Sequence, residues 1–506
     1  MPMSTILNYN FLFSTVRCSE IARVDALRSF IVIATVPRTD APIPRHRNLT
    51  FCSQSVLIDQ RWHNCRSRNT EPNTLEQEQF VTKNRKIGFT LMQSPFTMQG
   101  ETYSDISITV SAFYLKFVGM WLVENDEDLL RRRIAVCCTI FSTVLTMSCE
   151  VRDLYFSWGD FNNAIYVATN NVSVALILLK VYVIMANKIE FNELIVFMRD
   201  HFWRNDYDCY EKKILANTSK TCTSMVAVNV FGAHAIVTIQ SSTPIFINMG
   251  KNETDRVHPF NMWLGPFSAS TPYYEMLYII QVIVYYHIAV CFFCFDNIFC
   301  IVNMHVSAQF RIVQYRLVKL HNTEEKMKDR NANITVAMNS SKCYEKLKSC
   351  IRHHQNLIRY CTKIEKVFTL IVLGEMTLVS GLICLYGYQV FLAKANAMRR
   401  WTFGLLMIGT TMVLLMFIYS CHGLMEQSHN VGNAAYSTPW TLMPMNKLGR
   451  NLRNDLMMVS VRSRRVCCLT ANGFFPISLE TYTKIMSTAV SYFTLLRGRT
   501  EDMLKD

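Results

Sequence analysis

Long apolar blocks without a charged residue are the feature that most limits what this chain can fold into. Cys222 to Met249, Met276 to Phe295 and Trp401 to Cys421 contain no Asp, Glu, Lys or Arg. The hydrocarbon core of a bilayer is about 30 Å thick, and a helix needs roughly 20 apolar residues to cross it. Each block is long enough to do so. The chain is therefore predicted to be a multi-pass membrane protein, and the pattern argues against a soluble enzyme.

An all-α membrane fold with seven transmembrane helices follows from the hydropathy pattern. The first and last of the seven segments are the weakest. Residues 98–506 are predicted to form this seven-helix domain, whereas residues 1–97 are polar and basic. We expect 1–97 to be either a disordered cytoplasmic extension or the product of an over-extended gene model. The predicted spans cover about 134–154, 163–186, 222–249, 276–300, 367–393, 401–421 and 469–496.

The distribution of basic residues predicts on which side of the membrane each loop lies. The formal net charge is +14, but no soluble module with a nucleic-acid-binding pattern carries it, so no nucleic acid partner is expected. Loop residues 301–366 contain 13 Lys or Arg against 5 Asp or Glu, and three Arg at 131–133 precede the first span. Residues 250–275 are nearly balanced in charge. Because cytoplasmic loops carry the excess of Lys and Arg, the N-terminus is predicted to be cytoplasmic and the C-terminus extracellular.

This orientation separates the chain from G-protein-coupled receptors, which place the N-terminus outside. Neither an Asp-Arg-Tyr type triplet after the third span nor an Asn-Pro-x-x-Tyr in the last span is present. Catalytic patterns are also missing, including His-Glu-x-x-His, Gly-x-Ser-x-Gly and a phosphate-binding glycine loop. The sequence predicts no enzyme activity, no cofactor and no metal site. Inverted repeats with interrupted helices, which would indicate a transporter, are not found either.

The C-terminal segment resembles the end of insect odorant receptors. The similar residues are Asn472-Gly473-Phe474-Phe475-Pro476-Ile477-Ser478-Leu479 and the stretch Ser491-Tyr492-Phe493-Thr494-Leu495-Leu496-Arg497. Further landmarks of that family are Ala435-Tyr436 with Trp440, and Asp105 with Lys116, Gly119 and Trp121. The resemblance covers about residues 98–497. Gustatory receptors are the nearest relatives, but Ser491-Tyr492-Phe493-Thr494 stands where their Thr-Tyr…Gln-Phe pattern would be, which favours the odorant branch.

The resemblance implies a ligand-gated, non-selective cation channel. A tuning subunit of this kind joins a shared co-receptor in a heterotetramer, in the plasma membrane of olfactory sensory neurons. Small volatile organic ligands are expected in the outer half of spans two, three, four and six, and the last span is expected to line the pore. The long cytoplasmic loops are expected to form a helical anchor domain. The alternatives are a seven-span metabotropic chemoreceptor and a gustatory receptor of the same superfamily.

The last predicted span is compatible with a pore helix. Few uncharged residues separate Lys484 from Arg497, too few to cross lipid alone, but a helix with one face in water tolerates polar groups. Thr488, Ser491 and Leu495 follow one another at intervals of three and four residues and share one helix face. A ring of Leu495 side chains from several subunits could close the pore by dewetting. The alternative for Leu495 is a packing role.

The outer halves of four spans supply the candidate ligand-binding residues. Volatile ligands bind mainly by apolar burial, so the pocket should be aromatic and aliphatic with few polar groups. The alternative for each residue is ordinary helix packing. The candidates are Tyr166, Asn170 and Val174 in span two, His234, Val237 and Thr238 in span three, Gln281, Val284 and Tyr285 in span four, and Phe403, Met407 and Thr410 in span six.

Two isolated polar residues complete the prediction. Asn252 begins the Asn-Glu-Thr sequon on the predicted extracellular loop and is the expected glycosylation site, whereas Asn217 falls on the predicted cytoplasmic side. Glu375 is the single acidic residue of the fifth span and is expected either to act in function or to pair across the bundle.

Overall fold

The computed structural model describes much of the chain from residue 105 onwards. The described ranges are 105–121, 126–203, 206–252, 256–259, 270–320, 332–393, 397–438, 440, 443 and 445–502. The predicted extension of residues 1–97 lies outside the described residues. Within these ranges the regular structure is helical, apart from a single antiparallel bridge between Thr470 and Pro476.

Eleven α-helices follow one another along the described part of the chain. The fifth long apolar helix contains a π-helical turn, Glu375–Val379, between α7 and α8. The helices are α1 Ile106–Val118, α2 Asp126–Phe156, α3 Phe161–Ala186, α4 Lys188–Phe202, α5 Cys209–Ile247, α6 Tyr273–Lys319, α7 Ala332–Gly374, α8 Ser380–Phe391, α9 Ala397–Ser437, α10 Lys447–Ser463 and α11 Leu479–Asp502.

Six helical stretches of the described residues are long and apolar enough to cross a membrane: α2, α3, α5, α6, α7 with α8, and α9. They overlap the first six predicted spans. Large apolar side chains point away from the bundle on several of them, for example Phe141, Tyr182, Phe231, Ile283 and Trp401. A soluble protein rarely exposes so much apolar surface, so these residues form the surface that faces lipid. The chain is an all-helical multi-pass membrane protein.

The last span begins later than predicted. Residues 469–478 do not continue the helix, because Asn472 and Gly473 both have positive φ angles, 51° and 80°. Two successive residues with positive φ make a tight turn, and Asn-Gly is the pair that favours it. Pro476 closes the bridge with Thr470, and α11 then runs from Leu479 to Asp502.

Several helices extend well beyond their apolar parts, all at the end of the bundle that the loop charges predict to be cytoplasmic. We call this region, made of residues 209–221, 301–319, 342–366 and 422–437 with α4 and α10, the anchor bundle. Arg316 makes a bidentate ion pair with Glu211, with distances of 2.6 and 3.0 Å. The Tyr360 hydroxyl donates to the Leu194 carbonyl at 2.9 Å. These contacts between α4, α5, α6 and α7 support the predicted helical anchor domain.

Helix α1 is fixed at both ends by residues that the resemblance singled out. Asp105 caps the helix through the Ser107 amide at 3.0 Å and also pairs with His305 of α6 at 3.0 Å. Gly119 ends the helix with a φ of 82°, and a Cβ there would lie 2.7 Å from the Val136 backbone nitrogen. Only glycine fits both the left-handed backbone and this approach of α2.

Candidate functional site

Aromatic side chains from four helices meet at the end of the bundle opposite the anchor bundle. The ring of Phe403 on α9 lies 5.8 Å from that of Tyr166 on α3 and 5.9 Å from that of Tyr386 on α8, measured between centroids. Tyr285 on α6 lies in the neighbourhood of Tyr166 and Tyr386. We call Tyr166, Tyr285, Tyr386 and Phe403 the aromatic cluster. Edge-to-face contacts of this kind build an apolar site with polar hydroxyl tips.

Other predicted ligand-binding residues lie around this cluster. Asn170 interacts with Tyr166, and Thr410 interacts with Tyr386. Met407 packs against the cluster formed by Leu382, Tyr386 and Phe403. The structure therefore brings together Tyr166, Asn170, Tyr285, Phe403, Met407 and Thr410.

The remaining predicted residues lie elsewhere on their helices. His234 is hydrogen-bonded to the Tyr114 hydroxyl of α1 at 2.8 Å, and Thr238 is exposed and bonded to the Tyr286 hydroxyl at 2.6 Å. The described partners of these two residues are therefore on α1 and α6, outside the aromatic cluster. Of the other candidates, Val174, Val237 and Gln281 are buried, and Val284 is partly buried against the main core.

Residues that the sequence reasoning missed complete the cluster. Tyr386 belongs to the fifth span, which the family resemblance did not name for ligand binding. Gln240 of α5 accepts a hydrogen bond from the Tyr285 hydroxyl. Arg399 lies at the start of α9, and its guanidinium carbon is 4.2 Å from the centroid of the Tyr166 ring. In the sequence, an arginine next to an apolar span indicates only the boundary of the membrane. The contact between Arg399 and the Tyr166 ring could be recognised only in the structure.

Helix α11 packs through one side only. Phe493 contacts Phe391 of α8, with 5.7 Å between ring centroids, and Ala489 is buried. The predicted pore-lining residues Thr488, Ser491 and Leu495 are all exposed in the single chain. The Thr488 and Ser491 hydroxyls donate to the carbonyls of Lys484 and Ser487, so their polar groups are satisfied within the helix.

The turn before α11 is fastened to α7. The Asn472 amide donates to the Thr369 hydroxyl at 2.8 Å, and that hydroxyl donates to the Thr470 carbonyl at 3.2 Å. The Thr470 hydroxyl in turn donates to Glu365 at 2.6 Å. The family landmark around Asn472 therefore joins the last helix to the fifth span at Thr369, six residues before the π-helical segment begins.

A group of charged side chains is buried where three spans meet. Lys180 of α3 lies 2.8 Å from Asp296 of α6 and also pairs with Glu375 of the π-helical turn. The side chains of Lys180 and Glu375 have no solvent exposure. Glu375 therefore pairs across the bundle, one of the two roles that its sequence allowed.

A cavity of about 300 Å³ lies within the anchor bundle. Its walls include Phe197, His201, Arg316, Arg352 and Asn356. It is at the other end of the molecule from the aromatic cluster, and none of the predicted ligand-binding residues line it.

Comparison with known proteins identifies the family. A family model described as 7tm Odorant receptor matches residues 160–490. The chain belongs to this seven-transmembrane odorant receptor family. Odorant receptor 10 of Aedes albopictus is 22% identical over 77% of this chain and 96% of its own length. Odorant receptor 13a of Drosophila melanogaster is also 22% identical, over 78% of this chain and 96% of its own length.

Solved structures agree at the level of the fold. The insect olfactory receptor OR5 from Machilis hrabei matches with a TM-score of 0.65 and 15% identity, covering 77% of this chain and 97% of that one. The same receptor in complex with eugenol matches with a TM-score of 0.66 and 14% identity. The seven-transmembrane fold predicted from the sequence is confirmed. The family consists of receptors and not of enzymes, which also confirms that prediction.

Proposed function

We propose that this odorant receptor is the ligand-binding subunit of an odorant-gated, non-selective cation channel. The observation that carries the proposal is the aromatic cluster, because four helices contribute to it and one of them, α8, also packs against α11. Tyr386 faces the cluster, and a Cβ on the next residue, Gly387, would touch the Phe493 ring at 3.4 Å. A small volatile molecule bound among these rings would lie one helix away from the candidate pore helix.

The lining of the site suits a volatile ligand. Tyr166, Asn170, Tyr285, Phe403, Met407 and Thr410 supply mainly apolar surface with a few polar tips, which is the usual composition of a small-molecule pocket. The solved receptor from Machilis hrabei was determined with eugenol, a small aromatic compound, and has the same fold. We assign the remaining candidates, among them Val174, Val237 and Val284, to packing around the site.

The exposed face of α11 is the proposed pore surface. Too few uncharged residues separate Lys484 from Arg497 for α11 to cross lipid alone, so the face that exposes Thr488 and Ser491 needs another surface or water beside it. We assign that environment to an ion path formed with subunits of a shared co-receptor, in a heterotetramer. Leu495, which is 46% exposed, would close the path as an apolar ring. The N-terminus and the anchor bundle are then cytoplasmic and the C-terminus extracellular, in the plasma membrane of olfactory sensory neurons.

Cysteine accessibility tests the proposal directly. The chain is expressed with the co-receptor in oocytes, and odour-evoked current is recorded before and after a charged methanethiosulfonate reagent. Ser491→Cys is expected to make the current sensitive to the reagent. Ala489→Cys, on the buried side of the same helix turn, is the matched control and should remain insensitive.

Two results would contradict the channel assignment. One is a current that requires an active G protein, which would indicate the metabotropic alternative. The other is insensitivity of cysteines at all three positions 488, 491 and 495 while the odour response persists. Surface labelling of each variant separates loss of function from loss of delivery.

A further inference from the structure

Two hydrogen-bond donors beside the aromatic cluster have no acceptor. Arg399 donates through Nη2 to the Gln389 side-chain oxygen at 3.2 Å, but its Nε is buried without a partner among the described residues. The Nε2 amide of Gln389 is likewise buried and unpartnered within the described part of the chain. Gln389 as a residue has no solvent exposure. Native proteins rarely leave buried donors unsatisfied, because each costs about 1–3 kcal/mol.

Both donors lie at the edge of the proposed ligand site. The Arg399 guanidinium stacks over the Tyr166 ring and lies 5.9 Å from the centroid of the Phe403 ring. Gln389 is on α8, three residues after Tyr386, and therefore near the same helix face. No carboxylate of the described residues forms an ion pair with Arg399, and Asp160 acts on it only through longer-range electrostatics.

The charge pattern selects the kind of acceptor. A guanidinium and an amide NH₂ both offer hydrogens, so an ammonium group there would be repelled and left without an acceptor. Glu150 and Asp153 of α2 lie in the neighbourhood of Tyr166. A further carboxylate, on the ligand, would add negative charge beside these acidic residues, whereas a neutral carbonyl oxygen would not.

We infer that Arg399 and Gln389 form a polar recognition point for a carbonyl-bearing odorant, such as a ketone, aldehyde or ester. The inference rests on the proposed function and specifies its ligand class. The carbon skeleton lies among Tyr166, Phe403 and Tyr386, and the carbonyl oxygen accepts from Arg399 Nε and Gln389 Nε2. Hydrogen bonding to the ligand then satisfies both orphaned donors at once.

Matched pairs of compounds test this preference. Acetophenone and α-methylstyrene have nearly the same shape, as do 2-heptanone and 2-methyl-1-heptene, but only the ketones accept hydrogen bonds. The channel formed with the co-receptor is recorded in oocytes, and the half-maximal concentrations within each pair are compared. Loss of hydrogen bonding to a charged donor corresponds to about tenfold or more. The ketone is therefore expected to act at a concentration at least about tenfold lower than its alkene.

Substitutions assign the preference to the two residues. Arg399→Met and Gln389→Leu are expected to bring the ratio within each pair close to one. Arg400→Met is the matched control, since Arg400 is exposed and donates to the Ala393 carbonyl away from the site, and it should keep the wild-type ratio. The ratio is measured within one variant, so changes in expression do not affect it. If Arg399→Met gives no current with any compound, Gln389→Leu, which also removes one of the two donors, provides the same measurement.

The outcomes distinguish this inference from the proposed function. Equal potency of ketones and alkenes at the wild-type receptor, or a ratio unchanged by both Arg399→Met and Gln389→Leu, would overturn the inference and leave the channel proposal intact. A receptor that reaches the surface, opens with a co-receptor agonist and responds only to odorants without a carbonyl group would likewise overturn the inference alone. A receptor at the surface from which a panel covering all odorant classes evokes no current would overturn both.

Discussion

Replacement of Lys180 is expected to destabilise the membrane part of the protein strongly. Lys180 pairs with two carboxyl groups, those of Asp296 and Glu375, and its own side chain has no solvent exposure. Breaking a buried ion pair by removing one partner typically costs about 3–5 kcal/mol, because the other charge remains unpaired. Lys180→Met is therefore expected to abolish or sharply reduce the folded receptor at the surface. Fluorescence-detected size-exclusion chromatography with a heating step measures the loss.

Two comparisons make the Lys180 result specific. Glu375→Gln should be milder, since the Lys180 and Asp296 pair remains, and Lys188→Met at an exposed position should behave as wild type. Equal stability of Lys180→Met and Lys188→Met would show that the buried group does not hold α3, α6 and the π-helical turn together.

Neighbouring thiols provide a second prediction at the residue scale. A hydrogen bond with the Cys361 thiol, helped by the Arg462 charge, lowers the pKa of the Cys467 thiol. Burial instead raises the pKa of the Cys468 thiol. The thiolate is the form that reacts, so Cys467 should be alkylated at a lower pH than Cys468. Mass spectrometry after brief iodoacetamide treatment between about pH 6 and pH 9 measures both sites in the same peptide. Faster reaction of Cys468 throughout that range would contradict the assignment.

At the scale of elements, the junction between α1 and α2 depends on one glycine. Gly119→Ala would place a Cβ 2.7 Å from a backbone nitrogen of α2 at a φ of 82°, and neither backbone can move without separating the helices. We expect loss of the folded receptor, measured by the same chromatography. Gly232→Ala is the matched control, since it lies inside α5 with open space around it and alanine favours helix. A Gly119→Ala receptor as stable as Gly232→Ala would contradict the packing described for α1.

The sequence predicted the elements that depend on residues close together in the chain. It did not predict contacts between residues that are far apart in the chain. Hydropathy located six spans because each helix must be apolar along its own length. It placed the start of the last span at 469, although Asn472-Gly473 is a strong local turn signal within that apolar run. The pairing of Lys180 with Asp296 was not predicted, because each residue stands alone in its own span and only packing brings α3 and α6 together.

The candidate site was also predicted only in part. The family resemblance pointed to spans two, three, four and six, and residues such as Tyr166 and Phe403 do meet in the structure. The resemblance did not include span five, so Tyr386 and Gln389 were missed. His234 and Thr238 share a span with the pocket residue Gln240 but are directed to other neighbours, because helix rotation cannot be read from hydropathy when a helix is apolar all round.

At the scale of the whole molecule, the excess of Lys and Arg in the long loops predicts that the anchor bundle lies in the cytoplasm. Asn252 follows the C-terminus of α5 and is exposed, whereas Asn217 is exposed at the opposite end of the same helix. Each begins a sequon, but only the one on the extracellular side can meet the glycosylation machinery in the lumen. Which of these two asparagines carries a glycan therefore shows the orientation of the entire bundle.

Glycosidase treatment of the expressed receptor should increase its mobility on a gel, and Asn252→Gln should remove that shift. Asn217→Gln is the matched control and should retain it. Loss of the mobility shift in Asn217→Gln, with the shift preserved in Asn252→Gln, would show that the bundle has the opposite orientation in the membrane. The anchor bundle would then lie outside the cell and the aromatic cluster would open toward the cytoplasm, where an airborne ligand has no direct access. The orientation measured at these two asparagines thus decides whether the ligand site and the pore helix can serve a sensory surface.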